Sequence, residues 1–126
     1  MLSAAPLLLC NLVYADPDSG NVTLLGMFAG FRASKFPTPY RRLSAYTLVI
    51  GTPGEFLELI FRCYEEQTQQ IHLEEIQRID IGKNGKRHVH IAFGEIFRFP
   101  RPGQYRFTLS CNGDVIAEQT LEVPQL

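Results

Sequence analysis

The sequence predicts an all-β fold, an antiparallel β-sandwich of about seven to nine strands in a single domain spanning residues 1–126. Three observations carry that expectation. No segment keeps apolar residues at helical spacing between recognisable caps. Short runs with two-residue alternation recur instead, roughly every 10 to 15 residues, bounded by glycine, proline, asparagine or aspartate. Trp is absent, but nine Phe and five Tyr supply the bulky side chains that strands favour.

The elements follow in order. Leu7 to Tyr14 is the first run, ending at the turn Asp16-Pro17-Asp18-Ser19-Gly20-Asn21. Val22 to Phe31, VTLLGMFAGF, is the second, and its Gly26 and Gly30 mark bulges or places where another backbone comes close. In SKFPTPYRR, Pro37 and Pro39 forbid ladder pairing and mark a crossing loop. Leu43 to Ile50 is a third strand, closed by Gly51-Thr52-Pro53-Gly54. Phe56 to Tyr64 alternates cleanly, with Leu57, Leu59, Phe61 and Cys63 on one face and Glu58 and Arg62 on the other. Gln70 to Leu73 and Gln77 to Ile81 read as two short runs, because Glu74 and Glu75 interrupt the alternation. Gly82 to Gly85 is a turn, and Arg87 to Phe93 is the next strand. Tyr105 to Cys111 and Val115 to Val123 form a closing hairpin through Asn112-Gly113, the strongest turn signal in the chain.

Composition narrows the function classes. Hydrophobic residues make up 45% and charged residues 20%, ordinary values for a globular chain with one core. The formal net charge of −1 offers no electrostatic basis for binding nucleic acid or an anionic membrane. Cys10, Cys63 and Cys111 are widely spaced, odd in number and without a Cys-x-x-Cys pair, which points to a reducing, cytoplasmic setting. The opening MLSAAPLLLCNLVYA lacks a basic start and reads as a strand rather than a signal segment. No phosphate-binding glycine loop or Gly-x-Ser-x-Gly elbow occurs, and no cofactor is expected.

Three places invite sharper readings. Gly82 followed by His88, His90 and Glu95 has the spacing of the first cupin metal motif, so these three side chains are a candidate metal site. If Arg87 to Phe93 is a strand, however, Val89, Ile91 and Phe93 take the core face and both histidines face outward. Asp16-x-Asp18-x-Gly20 hints at a calcium loop, but Met27 stands where such a loop needs its last carboxylate, and a tight turn is the simpler reading. The first hairpin is apolar on both alternating faces, unlike the later strands. Leu8, Leu24, Met27, Phe31, Phe36 and Tyr40 are therefore candidate interface residues, spread over that hairpin and the loop after it.

Near the end of the chain, Pro102-Gly103-Gln104-Tyr105-Arg106-Phe107-Thr108-Leu109 resembles the start of strand F in immunoglobulin-like domains, where a tyrosine corner bonds back to the backbone. Several pieces occur together in one order: Cys10-Asn11, Asp16 to Asn21, Val22 to Phe28, Phe36-Pro37, Phe99 to Phe107 and Asn112-Gly113. That frame resembles a bacterial family of small β-sandwich proteins known only as a domain of unknown function, and it covers essentially the whole chain. The resemblance implies an immunoglobulin-like sandwich and brings no catalytic residues with it. Asn11 stands where the family usually has Asp. The expected role is a non-enzymatic interaction or accessory module that binds a protein partner or a second copy of itself. A metal-binding cupin-like protein and a small-ligand or carbohydrate binder using end loops are the alternatives.

Overall fold

A computed structural model describes residues 2–94 and 96–126. Among the described residues there is no helix, and twelve strands form four antiparallel sheets. They are β1 (Ser3–Ala4), β2 (Leu8–Cys10), β3 (Leu12–Ala15), β4 (Val22–Leu25), β5 (Thr38–Arg41), β6 (Ser44–Ile50), β7 (Phe56–Glu65), β8 (Ile71–Asp80), β9 (Lys86–Ala92), β10 (Ile96–Phe99), β11 (Gly103–Cys111) and β12 (Asp114–Val123). One four-stranded sheet has the order β12-β11-β7-β8. In the other, β6 is central, paired with β1 and β2 along one side and with β9 along the other. Two-stranded sheets, β3 with β4 and β5 with β10, complete the set.

The core comes from alternation on the longest strands. On β7, Leu57, Leu59, Phe61 and Cys63 are buried, and the register sets Leu59, Phe61 and Cys63 opposite Cys111, Leu109 and Phe107 of β11. From the other four-stranded sheet come Leu9, Ala45, Val49 and Val89, which belong to the same buried cluster. Phe97 and Phe99 of β10 extend it, their rings 4.6 Å apart and edge-on. Side chains alternate across each strand because successive Cβ atoms point to opposite faces, so one face of β7 and of β11 is committed to this cluster. The closing turn adopts positive φ at Asn112 (53°) and Gly113 (84°), the left-handed conformation that an Asn-Gly hairpin requires.

Five expectations are corrected. The strand count exceeds seven to nine because one apolar run serves two sheets and because Ser3–Ala4, Thr38–Arg41 and Ile96–Phe99 pair where no strand was expected. The run Leu7 to Tyr14 breaks at Asn11: Leu8–Cys10 pairs with β6, while the Asn11 amide donates to the Leu25 carbonyl (2.9 Å) and Leu12–Ala15 pairs with β4. The second run ends at Leu25 rather than Phe31. Gly26 turns the chain at a φ of +69°, and a Cβ there would collide with the Asn11 side chain, so the glycine marks the close approach its sequence context suggested. Pro39 does not prevent pairing. It sits opposite Arg98, on a strand with a neighbour along one side only, where a missing N–H that faces away is harmless. Finally, Glu74 and Glu75 do not divide β8, because an edge strand lets a carboxylate on either face reach water.

Candidate functional site

Three places carry more chemistry than packing requires. The first is the β3–β4 hairpin. Its tip is a self-contained turn: the Asp18 amide donates to Asp16 Oδ1 (3.1 Å), the Ser19 hydroxyl donates to Asp16 Oδ2 (2.9 Å), and the Gly20 amide donates to the Asp16 carbonyl (2.9 Å). The bonds from Asp18 and Ser19 hold the Asp16 carboxyl below its ordinary pKa, the Asp18 amide most of all. Its oxygens thus serve as turn acceptors, the role expected of an aspartate that nucleates a turn. At the base, the Asn11 side-chain amide donates to the Tyr40 hydroxyl at 3.0 Å, and the Phe28 amide returns to the Leu9 carbonyl at 3.1 Å.

Between tip and base, the pairing Leu12↔Leu25 and Tyr14↔Thr23 gathers one face of the ribbon. Leu12 is 45% exposed, Tyr14 54%, Leu25 51% and the adjoining Met27 58%. Val13, Val22 and Leu24 on the opposite face are half-buried. No side chain from Leu12 to Leu25 belongs to the buried core cluster or packs directly on it. The ribbon is thus apolar on both faces and dry on neither.

The sequence-derived interface candidates divide on this geometry. Met27 is exposed, while Leu8 and Leu24 are half-buried. Phe31, Phe36 and Tyr40 pack against the protein's own core. Tyr40 lies between Phe28 (centroids 4.7 Å) and Phe31 (4.8 Å), and Phe31 rests on Phe99 at 5.2 Å. These rings fill the space beside the β5–β10 ladder. Leu12, Tyr14 and Leu25 were missed by the sequence reading, although alternation about the Asp16 to Asn21 turn already puts them on one face.

The second place is the outer face of β9. Val89 and Phe93 are buried and Ile91 half-buried, while His88 and His90 are exposed and lie opposite Leu48 and Tyr46 of β6. His88 Nδ1 and the Tyr46 hydroxyl are hydrogen-bonded at 2.5 Å. Glu95, the third member of the candidate metal set, lies outside the described residues. Among those residues, no three His, Cys, Asp or Glu side chains converge closely enough to hold a metal ion.

The third place was not anticipated. The inward series of β7 continues past Cys63 to Glu65, which is 4% exposed and sits opposite Tyr105. Arg101 Nε donates to one carboxylate oxygen at 2.8 Å, and His72 Nε2 lies 2.6 Å from the other. His72 can reach it because it is the extra residue of a bulge: Cys63 pairs with Leu73 and Tyr64 with Ile71, so His72 has no ladder partner. Burial pushes the Glu65 carboxyl up, but hydrogen bonds and charge from Arg101 and His72 outweigh it and hold the group below its ordinary range. The expected tyrosine corner meets the same arginine. Tyr105 donates its hydroxyl proton to the Arg101 carbonyl at 2.5 Å and accepts the Arg101 amide at 3.3 Å. Arg101 is consequently held at both ends, by its backbone and by its side chain.

Alternation alone places Glu65 inward. Its partners come from a bulge and a distant turn, which no local pattern announces. Cys63, two residues before Glu65 on the same face, is fully buried, and burial together with the Glu65 charge pushes its thiol pKa up. Burial raises Cys10 and Cys111 as well, so all three thiols are free, buried and protonated at neutral pH. The arrangement around Glu65 therefore offers a fixed ion pair without an activated nucleophile beside it. What it does is fasten the Arg101 to Gly103 turn over the end of the core.

Comparison with known proteins adds a family. The model of DUF6941, a family of unknown function, matches residues 6–124, and the chain belongs to that family. No curated protein matches it.

Proposed function

We propose that this member of the DUF6941 family is a non-enzymatic protein-interaction module on an immunoglobulin-like frame, and that a partner protein covers the outer face of its β3–β4 hairpin. The observation that carries the reading is the row Leu12, Tyr14 and Leu25, exposed together on a ribbon outside the buried core cluster, with Met27 exposed just beyond its end. A two-stranded hairpin is marginally stable alone in water, and contiguous exposed apolar surface on a soluble domain marks an interaction site. Tyr is a frequent anchor of interfaces and Met an adaptable one. Asp16 and Asp18 at the tip give the surface an acidic end, which favours a partner with basic residues beside its apolar patch.

Further support comes from the absence of activated groups among the cysteines and from the tyrosine corner, which is the feature shared with immunoglobulin-like domains. The unpaired buried thiols favour a cytoplasmic setting.

The test is a photo-crosslinking residue in place of Tyr14, with one in place of Glu118 as the control on another face. A protein captured only at position 14 is then purified and titrated against the wild type and Leu25→Asp. Loss of one apolar anchor is expected to weaken binding roughly tenfold or more. Equal affinity for the two proteins would remove the hairpin from the interface.

A further inference from the structure

β8 closes one side of the β12-β11-β7-β8 sheet, and along its other side no strand pairs with it among the described residues. Ten residues is long for an open edge, and open edges present unpaired backbone donors and acceptors to any strand that approaches. The outward side chains of β8 are Glu74, Ile76, Arg78 and Asp80, which lie opposite Arg62, Ile60, Glu58 and Phe56 of β7. Arg62 Nε meets Glu74 at 2.6 Å and Arg78 meets Glu58 at 3.0 Å. Ile76 lies between these two ion pairs along the strand and is 53% exposed.

This order is its own complement. We infer that two copies of the chain pair β8 to β8, antiparallel, with Ile76 on the two-fold axis. In that register Ile76 faces Ile76 of the second copy, Glu74 faces the second copy's Arg78, and Leu73 faces the second copy's Ile79. Across the joined sheets the charges then alternate, Arg62, Glu74, Arg78, Glu58, once on each side of a central apolar row formed by Ile60 and Ile76 of both copies. Neighbouring registers that keep the outer faces together lose this match. Centring on Glu75 sets Ile76 against Glu74, centring on Gln77 sets Glu74 against Asp80, and centring on Arg78 sets arginine against arginine. Opposite charges and apolar pairs directly across a ladder stabilise it, and like charges destabilise it. One register is therefore selected, and the product is a closed two-fold dimer with a continuous eight-stranded sheet rather than an open fibre.

The experiment measures mass in solution by sedimentation velocity over a range of concentrations. Wild type is expected to shift toward dimer as concentration rises. Glu74→Arg and Arg78→Glu each set two like-charged pairs across the axis and are expected to raise the dimer dissociation constant roughly tenfold. Mixed one to one, the two variants restore opposite charges at both positions and are expected to recover the dimer, a rescue that a fold defect would not show. Ile76→Cys should cross-link to its copy under mild oxidation, since residues directly opposite in an antiparallel ladder have Cα atoms roughly 4.5–5.5 Å apart, within disulfide reach. Leu25→Asp, on the hairpin, should dimerise like wild type. A wild type that stays monomeric, single variants that still dimerise, or a mixture that stays monomeric while both variants keep wild-type circular dichroism would each overturn the pairing.

Discussion

The end of the core around Glu65 and the β3–β4 hairpin invert each other's chemistry. At the first, a carboxylate occupies a position that alternation assigns to an apolar side chain, and each of its oxygens has a partner. At the second, leucines and a tyrosine stand about half open to water, and none of them belongs to the buried core cluster. Burying an unpaired charge costs several kcal/mol, so the polar intrusion persists only because His72 and Arg101 are delivered to it. Exposing an aliphatic side chain costs far less, about 25 cal/mol per Å² of apolar surface, and nothing inside the chain has to correct it. The buried end is consequently over-determined and the hairpin under-determined. Substitutions at the two regions should separate along that line, the first acting on stability and the second on association.

The largest loss of stability is expected where the corner rests on the core. Phe99 is fully buried, with its ring 4.8 Å from Tyr105 and 4.6 Å from Phe97. Phe99→Ala removes a ring from both contacts and should cost about 3–5 kcal/mol in urea unfolding. A loss under about 1 kcal/mol would mean that the site collapses to fill the gap.

Glu65→Ala comes next, at about 1–3 kcal/mol, because it strands His72 and leaves Arg101 to find water. This loss depends on pH in a defined sense. The folded carboxyl titrates below its ordinary value, so its contribution is complete above the unfolded pKa, about 4.3, and fades as pH falls through the folded value. The stability difference between wild type and Glu65→Ala should therefore narrow on acidification. A gap that stays constant through the acid range would show that the ion pair contributes little.

How much of this could be read in advance follows from which interactions are local. Leu57, Leu59, Phe61 and Cys63 declared their face by period alone, as did Val89 and Phe93 between two outward histidines. Asn112-Gly113 and the tyrosine corner were legible because turn chemistry and a short motif act over a few residues. The break at Asn11 was not legible. It depends on an amide finding the carbonyl of Leu25, fourteen residues on, and the same apolar run suits one long strand equally well. Pro39 misled because its effect depends on whether a neighbour lies on its N–H side, which is a property of the sheet and not of the dipeptide. His72 and Arg101 were invisible as partners of Glu65, since a bulge and a crossing turn bring them there. For the hairpin, sequence showed two apolar faces but not which of them the rest of the chain would leave open.

Tyr105→Phe probes the corner more gently. It deletes the hydroxyl that bridges the Arg101 carbonyl and amide while keeping the ring on Phe99. A loss of about 1 kcal/mol is expected, the net worth of an ordinary hydrogen bond. Glu65→Ala and Tyr105→Phe should also be non-additive when combined, because both act through Arg101. Strict additivity in the double variant would show that the side chain and backbone of Arg101 are held independently.

The smallest effect on the isolated chain is expected at the hairpin, and that is where the contrast between the two regions is most open to refutation. Leu25→Asp replaces a side chain that is half in water and touches no core residue, so its change in unfolding free energy should fall within about 0.5 kcal/mol. An environment-sensitive apolar dye should respond in the opposite order. The wild type should bind it, Leu25→Asp should bind it less, and Phe99→Ala should match the wild type as long as it remains folded. If Leu25→Asp instead cost as much stability as Glu65→Ala, the hairpin would be part of the cooperative core, and its apolar face would reflect packing rather than a surface held open for a partner.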